Sequence, residues 1–322
     1  MTDSTDLPPL PHLSPPAQSL LDDILGTKVL GASRNIRQIN DLFCLAVEDR
    51  ASASADELRA TLRQLGDYFI ATRGKNTPAI GNAIRWVLRG LDEASQVRDF
   101  IHARRDAFNQ RSLENARRMA EAGAALFANM RTLLPFDYSS TMLAILQRMA
   151  EEGHACHLIV LESRVLDGGR PIAQEATRWG HTVTFVPDMA FDALLPQAEA
   201  VLIGAETLQA DGGIWNTIGS RAIAALARPS NIPFYVATEL IKIDPQSLGG
   251  HPRLIRPHDF SQLLGRETFD FWERISCVTP DLDLTPAELI TAYITEYGVQ
   301  TLTQMRESVA ILMRELGLQA LS

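Results

Sequence analysis

Two apolar runs in the second half of the chain each end on a carboxylate. Asp137 ends TLLPFD (132–137), and Glu206 ends AVLIGAE (200–206), just ahead of a loop that carries Asp211 and two glycines. A carboxylate in such a place can transfer protons, accept hydrogen bonds from ligand hydroxyls, or stabilise the following turn. Asp137 and Glu206 can divide the roles of acid and base if burial or mutual repulsion raises the pKa of one of them.

Further polar residues follow the other apolar runs of this region. Glu162, Ser163 and Arg164 lie where CHLIVLE ends, and Asp188 ends HTVTFVPD. In sheets of parallel strands, ligands bind beyond the carboxyl ends of the strands. This mixture of acids, hydroxyls and an arginine therefore predicts a site for a small polar ligand.

The runs that carry these residues alternate with amphipathic stretches, a pattern typical of a doubly wound α/β domain with a parallel sheet covered on both faces. We assign residues 131–322 to this Rossmann-like domain, and we expect its last segment, from Thr285 onward, to be a helical tail. The predicted strands are 132–137, 156–162, 181–188, 200–206 and 232–238, and the predicted helices include STMLAILQRMAEEG, RPIAQEATRWG and WNTIGSRAIAALAR.

The first part of the chain shows helical signals and no convincing strand. SADELRATLRQLGDYFIATRG opens with a Ser-x-x-Glu capping box at Ser54 and Glu57, which marks a helix start. We assign residues 16–130 to a helical N-terminal domain. The acidic, proline-rich residues 1–15 are expected to form a disordered leader.

Composition argues against several classes of protein. The chain has 30 Lys and Arg against 39 Asp and Glu, a net charge of -9, so it lacks the basic stripe that binds nucleic acid. The N-terminus lacks the basic and apolar regions of a signal peptide, and no apolar run approaches the roughly 18 residues of a membrane span. We expect a cytoplasmic protein that binds neither nucleic acid nor membrane.

The cysteines and histidines predict no metal site. The three cysteines are an odd number at wide separations, which is neither a disulfide framework nor a zinc spacing. His154, Cys156 and His157 lie close together, but they start a strand whose alternating faces would direct Cys156 and His157 opposite ways.

Three stretches are together similar to one known superfamily. They are TRGKNTPAIGNAIRWVL (72–88), LESRVLDGGRPIAQEATRWGHTVTFVPDMA (161–190) and VLIGAETLQADGGIWNTIGS (201–220). The first resembles the family's phosphate loop, and the third resembles its Gly-Ala-Asp/Glu and Asn-Lys-Ile-Gly passages. The superfamily contains methylthioribose-1-phosphate isomerase, archaeal ribose-1,5-bisphosphate isomerase and the regulatory subunits of the eukaryotic initiation factor two-B.

The resemblance implies a helical domain, a Rossmann-like domain, and a pocket for a phosphorylated sugar in a homodimer or higher homo-oligomer. It also implies aldose-ketose isomerase activity, an intramolecular oxidoreduction that needs no metal or other cofactor. The alternative is a non-catalytic sugar-phosphate-binding subunit that resembles the initiation factor two-B alpha subunit. A third possibility is another reaction on a phosphorylated sugar acid or ketose.

The chain departs from the isomerases at the positions that react. Asp137 resembles the family's catalytic cysteine, Glu206 its aspartate, and Thr217 its lysine. Asp137 and Glu206 are therefore the catalytic candidates. For Asp137 the simpler alternative is a helix N-cap shared with Ser139 and Ser140, and for Glu206 it is a contact to a sugar hydroxyl.

Arginines are suited to hold the phosphate, because a guanidinium fork matches phosphate geometry better than a lysine does. Each arginine alone could equally be a surface or ion-pair residue, but several at matched motif positions favour binding. The candidate substrate-binding residues are Arg73, Gly74, Ser139, Glu162, Arg164, Arg170 and Asn216.

Overall fold

The structure is a computed structural model that describes residues 7–26, 32–48, 50, 52–249, 257–264 and 269–318. Its helices are α1 (Pro15–Gly26), α2 (Ala32–Glu48), α3 (Ala55–Phe69), α4 (Pro78–Leu88), α5 (Val97–Phe127), α6 (Ser140–Glu151), α7 (Gly169–Arg178), α8 (Phe191–Leu194), α9 (Ser220–Ala227) and α10 (Leu302–Glu315). Its strands are β1 (Thr132–Phe136), β2 (His157–Leu161), β3 (Thr182–Val186), β4 (Ala200–Ile203), β5 (Thr207–Leu208), β6 (Ile214–Thr217), β7 (Phe234–Ala237), β8 (Pro257–Asp259), β9 (Val278–Pro280), β10 (Leu282–Thr285), β11 (Ala292–Thr295) and β12 (Gly298–Gln300).

The chain divides into two compact units. The helical unit comprises Met1–Glu114, Ile241–Pro245 and Ala310–Ser322, and the α/β unit comprises Asn115–Leu240 and Gln246–Val309. The division falls inside α5, whereas the sequence predicts a single boundary at residue 130. A long continuous helix gives no sequence signal at the point where its packing partners change.

The helical unit is built on the apolar faces of α1 to α4 and the first turns of α5. The predicted capping box begins α3, where the Ser54 hydroxyl accepts from the Glu57 N–H and the Glu57 carboxylate accepts from the Ser54 N–H at 2.7 Å. Residues 1–6 of the predicted leader lie outside the described residues. Leu13 is buried in the core, so ordered packing begins before residue 16.

The α/β unit contains a seven-stranded sheet in the order β12-β11-β7-β4-β1-β2-β3. Strands β1, β2, β3, β4, β7 and β11 pair in parallel, and β12 is antiparallel to β11 at one edge. From β1 the chain winds outward to β3 and then returns to β4 on the other side, which is the order of doubly wound sheets. The strand order therefore reverses between β1 and β4.

Two smaller sheets accompany the large one. Strands β10, β6 and β5 form an antiparallel three-stranded sheet, and β8 pairs with β9. The prediction that Trp215–Thr217 begin a helix is wrong: these residues belong to β6, and α9 begins only at Ser220. Within the described residues no helix is long and apolar enough to cross a membrane.

The predicted helical tail is also corrected. Thr285 and Pro286 introduce only a short 3-10 turn, and Ala292–Thr295 then forms β11 beside β7. The segment ITAYIT is short and rich in β-branched and aromatic residues, which favour strands. Tyr293 is fully buried there, and helix resumes only at Leu302.

Candidate functional site

Asp137 lies directly after the central strand β1, where the strand order reverses. Its backbone has φ 61°, and only 7% of the residue is exposed. The Ser163 hydroxyl donates to Oδ1 at 2.7 Å, and the Thr217 hydroxyl donates to Oδ2. The carboxyl group is therefore held from both sides by neutral donors, with no described cation among these contacts.

Ser163 reaches Asp137 from the loop after β2. The backbone N–H groups of Ser163 and Arg164 donate to the two carboxylate oxygens of Asp188 at 2.7 and 2.8 Å. Ser163 has φ 49° and Asp167 in the same loop has φ 53°. Of the four described non-glycine residues with positive φ, three, including Asp137, lie in this small region. Such clustering of strained backbone is typical of functional sites.

Thr217 reaches Asp137 from the last position of β6. The β5–β6 hairpin folds back from the end of β4, and the Glu206 N–H donates to the Trp215 carbonyl at 2.9 Å. Strand β10 pairs with the other edge of β6 and sets Leu282 opposite Thr217. A residue far from Asp137 in the sequence is thereby fixed beside its carboxyl group.

Because Gly168 has no side chain, the Asp137 carboxyl group can lie directly against it. An ideal Cβ on Gly168 would lie 1.9 Å from Oδ1 of Asp137 and 2.8 Å from the Tyr138 nitrogen. Both distances are shorter than the 3.0 Å below which a Cβ atom essentially never approaches another heavy atom. No residue other than glycine fits at position 168 while Asp137 keeps this position.

Burial raises the pKa of the Asp137 carboxyl above its ordinary value of 3.8. The hydrogen bonds from Thr217, Ser163 and the Tyr138 N–H lower the pKa, and the nearby Asp188 charge raises it, but desolvation dominates. The protonated form therefore persists to higher pH than in an exposed aspartate. A neutral carboxyl of this kind can donate a proton.

The raised pKa makes a prediction about stability. Because the folded state favours the neutral acid, Asp137 contributes stability that is complete below its unfolded pKa and is lost as pH rises through its folded pKa. Asp137→Asn keeps the shape without the charge. We expect the melting temperature of this variant, relative to the wild type, to rise between pH 4.5 and pH 8, because only the wild type must then bury a charged carboxylate.

Thermal melts of both proteins across this pH range test the prediction. Asp192→Asn, on an exposed residue of the same unit, is the matched control and should shift the melting temperature equally at both pH values. A difference between Asp137→Asn and wild type that stays constant or falls with pH would contradict a raised pKa in the folded state.

Glu206 follows the neighbouring strand β4 and is half-buried. Phe136 pairs with Ile203 in the β1–β4 ladder, so Asp137 and Gly204 leave adjacent strands at the same level. An ideal Cβ on Gly204 would lie 2.7 Å from the Ser139 hydroxyl oxygen. The loops after β1 and β4 are therefore in close contact, with Asp137 on one and Glu206 on the other.

Ser139 caps α6, and Asp137 does not. The Met142 N–H donates to the Ser139 hydroxyl at 3.4 Å, and Ser139 occupies the N-cap position. The simpler sequence interpretation of Asp137, as a helix cap, is therefore wrong. Asn216 is buried beside Thr217 and donates to the Ser220 hydroxyl at 3.1 Å.

The candidate arginines of the α/β unit are partly exposed. Arg164 lies 3.7 Å from Glu162 with 49% of its side chain exposed, and Arg170 lies 3.3 Å from Asp167 with 64% exposed. Exposed ion pairs of this kind contribute little to stability. Both guanidinium groups can therefore move toward an anion at small cost.

Arg73 and Gly74 belong to the helical unit. Arg73 donates to the carbonyl oxygens of Ile24 and Leu25 at 2.5 and 3.2 Å, and so satisfies the end of α1. Gly74 ends a π-helical turn that continues α3, and an ideal Cβ there would lie 3.1 Å from the Gly81 Cα. Glycine at position 74 lets the two segments approach.

No described group of three or more His, Cys, Asp and Glu side chains is placed to hold a metal ion. Of the HACH segment, Cys156 pairs with His181 instead: its N–H lies 3.1 Å and its Sγ 3.5 Å from His181 Nδ1. His181 Nε2 lies 2.9 Å from the Leu146 carbonyl. This buried contact joins β2, β3 and α6 and is part of the packing of the sheet.

Sequence analysis did not foresee the contacts of Thr217, Ser163 and Gly168 with Asp137. The sequence shows Thr217 only as a departure from the family's lysine, and nothing local to β6 signals its contact with Asp137. For Gly168, the two consecutive glycines in LDGGRP were the available signal. Position 168 leaves room for the carboxyl, and position 169 lets the backbone approach Leu161.

Comparison with known proteins identifies relatives along nearly the whole chain. A protein named ribose 1,5-bisphosphate isomerase from Haloterrigena turkmenica is 29% identical over 322 residues, 95% of each chain. Another of that name from Haloferax volcanii is 30% identical over 290 residues, 88% of each chain. The crystal structure of the Pyrococcus horikoshii translation initiation factor eIF-2B has the same fold, with a TM-score of 0.74 over 90% of this chain and 98% of that chain at 22% identity.

These matches confirm the resemblance and the α/β fold class. Residues 28–302 match the profile of the initiation factor 2 subunit family, which covers both units. The chain therefore belongs to the initiation factor 2 subunit family.

Proposed function

We propose that this protein is a sugar-phosphate isomerase that converts an aldose 1-phosphate, with ribose 1,5-bisphosphate as first candidate, into the corresponding ketose phosphate. The observation that carries the proposal is the buried carboxyl of Asp137, whose pKa is raised by burial, at the point where the strand order reverses and beside the loop of Glu206. The relatives named ribose 1,5-bisphosphate isomerase, which match along nearly the whole chain, support this choice of substrate.

The chemistry assigns one role to each carboxyl group. The protonated Asp137 gives its proton to the ring oxygen as the bond between this oxygen and C1 breaks. The C2 hydrogen then moves to C1 with its electron pair, and Glu206 takes the proton of the C2 hydroxyl as C2 becomes a carbonyl. Exchange with solvent returns the proton from Glu206 to Asp137, so the enzyme is unchanged.

Phosphate binding is assigned to the arginines. Arg164 and Arg170 bind one phosphate group, assisted by the first turn of α7, whose partial positive charge favours an anion. Ser139, Glu162 and Asn216 bind sugar hydroxyls.

Turnover by the purified chain tests the proposal. Phosphorus NMR of the protein with ribose 1,5-bisphosphate should show new ketose phosphate resonances without added metal or nucleotide. Glu206→Gln should lower the rate about 100-fold or more, because general base catalysis contributes roughly 10²–10⁴-fold, and should leave substrate affinity within a few fold. Glu199→Gln in the same unit is the control.

Broadened substrate resonances without product would instead favour the second candidate. The fold shared with an initiation factor, together with Asp137 and Thr217 at the reactive positions, supports a regulatory subunit that binds a sugar phosphate without converting it. That subunit would bind ribose 1,5-bisphosphate equally well in the wild type and in Glu206→Gln, with no product in either.

We further propose that the protein acts in the cytoplasm as a homodimer or a higher homo-oligomer. The family resemblance supports this. Light scattering of the purified chain measures the assembly directly, and a monomer at micromolar concentration would contradict it.

A further inference from the structure

The helical unit contains a cavity of about 370 Å³ that is separate from the site around Asp137. Its lining residues are Trp86, Arg89, Gly90, Arg104, Arg111 and Glu315. None of them belongs to the proposed substrate site. The volume lies within the range of small-molecule sites, roughly 300–1,000 Å³.

Three helices direct these side chains into one space. Trp86 lies in the last turn of α4, and Arg89 follows its end. Arg104 and Arg111 are seven residues apart on α5, which places them on one face of that helix. Glu315 ends α10.

Each of the three arginines contacts other described residues through only one or two of its guanidinium N–H groups. Arg104 stacks on Trp86 with its Cζ 3.8 Å from the ring centroid, and it donates to the carbonyls of Val87 and Trp86 at the end of α4. Arg89 donates through Nη1 to the Glu315 carbonyl, and Arg111 Nη1 lies 3.2 Å from the Glu315 carboxylate. Since a guanidinium group carries five N–H donors, each arginine keeps donors for a ligand.

The lining carries more positive than negative charge. Three guanidinium groups face the single carboxylate of Glu315. Burial lowers the pKa of Arg104, and the charges of Arg89 and Arg111 lower it further. The ends of α4 and α10 supply partial negative charge, about half a unit each, which reduces this repulsion without removing it. An anion in the cavity would relieve the repulsion that remains.

We propose that this cavity is a second anion site, which binds the phosphate group of a small phosphorylated molecule. All its cations are arginines, whose planar forks hold phosphate in bidentate fashion. One face of Trp86 is covered by Arg104, and Phe108 packs edge-on at 5.5 Å. The cavity therefore recognises the phosphate group rather than a stacked base.

The competing explanation is that the arginines only cap α4 and α10. That role accounts for the carbonyl contacts of Arg104 and Arg89. It does not include Arg111, which pairs with the Glu315 carboxylate, lies with its Cζ 5.7 Å from the Trp86 ring centroid and adds a third positive charge to the cluster. Capping alone predicts that the cavity has no specific affinity for phosphate.

Calorimetric titration with inorganic pyrophosphate tests the proposal, on the full chain carrying Arg164→Gln and Arg170→Gln so that the proposed substrate phosphate site does not contribute. We expect saturable binding that weakens at least tenfold in the double variant Arg89→Gln, Arg111→Gln. Arg117→Gln is the control, because Arg117 lies on the same helix in a comparable ion pair with Glu121 at 2.6 Å. Quenching or enhancement of tryptophan fluorescence by pyrophosphate should disappear in Trp86→Phe.

Arg111→Lys provides a second test if the double variant does not fold. The lysine keeps the positive charge beside Glu315 but lacks the planar guanidinium group that binds phosphate in bidentate fashion. Pyrophosphate binding should therefore weaken at least threefold. Undiminished pyrophosphate affinity in these variants, or no saturable binding by the chain with Arg164→Gln and Arg170→Gln alone, would overturn the proposal. Turnover of ribose 1,5-bisphosphate should persist in both variants when Arg164 and Arg170 are kept, so failure of the isomerase proposal would be seen separately.

Discussion

Asp137→Asn is expected to lower turnover of ribose 1,5-bisphosphate by two to four orders of magnitude, the contribution typical of a positioned general acid. The asparagine fills the same space, and its side-chain amide can still bond with the Ser163 and Thr217 hydroxyls that hold the carboxyl group. It has no proton to give to the ring oxygen. Initial rates from phosphorus NMR, with substrate affinity from calorimetry, separate loss of chemistry from loss of binding.

The control for Asp137→Asn is Asp192→Asn, which changes an exposed aspartate of the same unit and should keep the wild-type rate. The pH profile adds a second criterion. Wild-type activity should fall at high pH as Asp137 loses its proton. The residual activity of Asp137→Asn should show no such decrease at high pH. A variant within threefold of the wild-type rate would exclude Asp137 as the acid.

Gly168→Ala is expected to lose turnover, whereas Gly169→Ala is expected to lose stability. A methyl group at position 168 would meet the Asp137 carboxyl at 1.9 Å, so that carboxyl must leave its two hydroxyl donors. We expect at least a 100-fold loss of turnover with a folded protein. At position 169 the methyl group would lie 1.9 Å from the Leu161 carbonyl oxygen, a backbone atom of β2 that cannot move aside, so we expect loss of stability of several kcal/mol, as for other severe clashes in packed interiors.

Circular dichroism, thermal melts and rates measured on both variants distinguish these effects. Gly26→Ala is the control, because an added Cβ meets nothing within 4 Å there. A Gly168→Ala variant with wild-type turnover would show that the carboxyl does not need its observed position. A Gly169→Ala variant with a wild-type melting temperature would contradict the close approach of α7 to β2.

The parallel strands are predictable from sequence because each is a short apolar run between amphipathic helices. Val201, Leu202 and Ile203, for example, are fully buried in the middle of the sheet. The tail is different, because ITAYIT lies between Thr285-Pro286, which suggests a helix start, and a true helix, α10. Its strand character depends on pairing with β7, a contact between segments nearly sixty residues apart.

The site is predictable only in part. Its two carboxylates follow from the rule that ligands bind at the carboxyl ends of parallel strands, and the structure places them on adjacent loops. Thr217 is not predictable in this way, because it reaches Asp137 only through the β5–β6 hairpin and its pairing with β10. From the sequence alone, Thr217 is only a replacement of the family's lysine. The structure adds that its hydroxyl donates to the Asp137 carboxyl group.

The most direct test of the central claim is the protonation of Asp137 itself. Carbon-13 NMR of protein labelled at the aspartate carboxyl carbons, with the resonance assigned by its absence from Asp137→Asn, follows this group as pH is changed. We expect Asp137 to titrate with a pKa above the ordinary aspartate value of 3.8. Titration at or below that value would show an ionised group at neutral pH, which could not act as the acid of the proposed isomerisation.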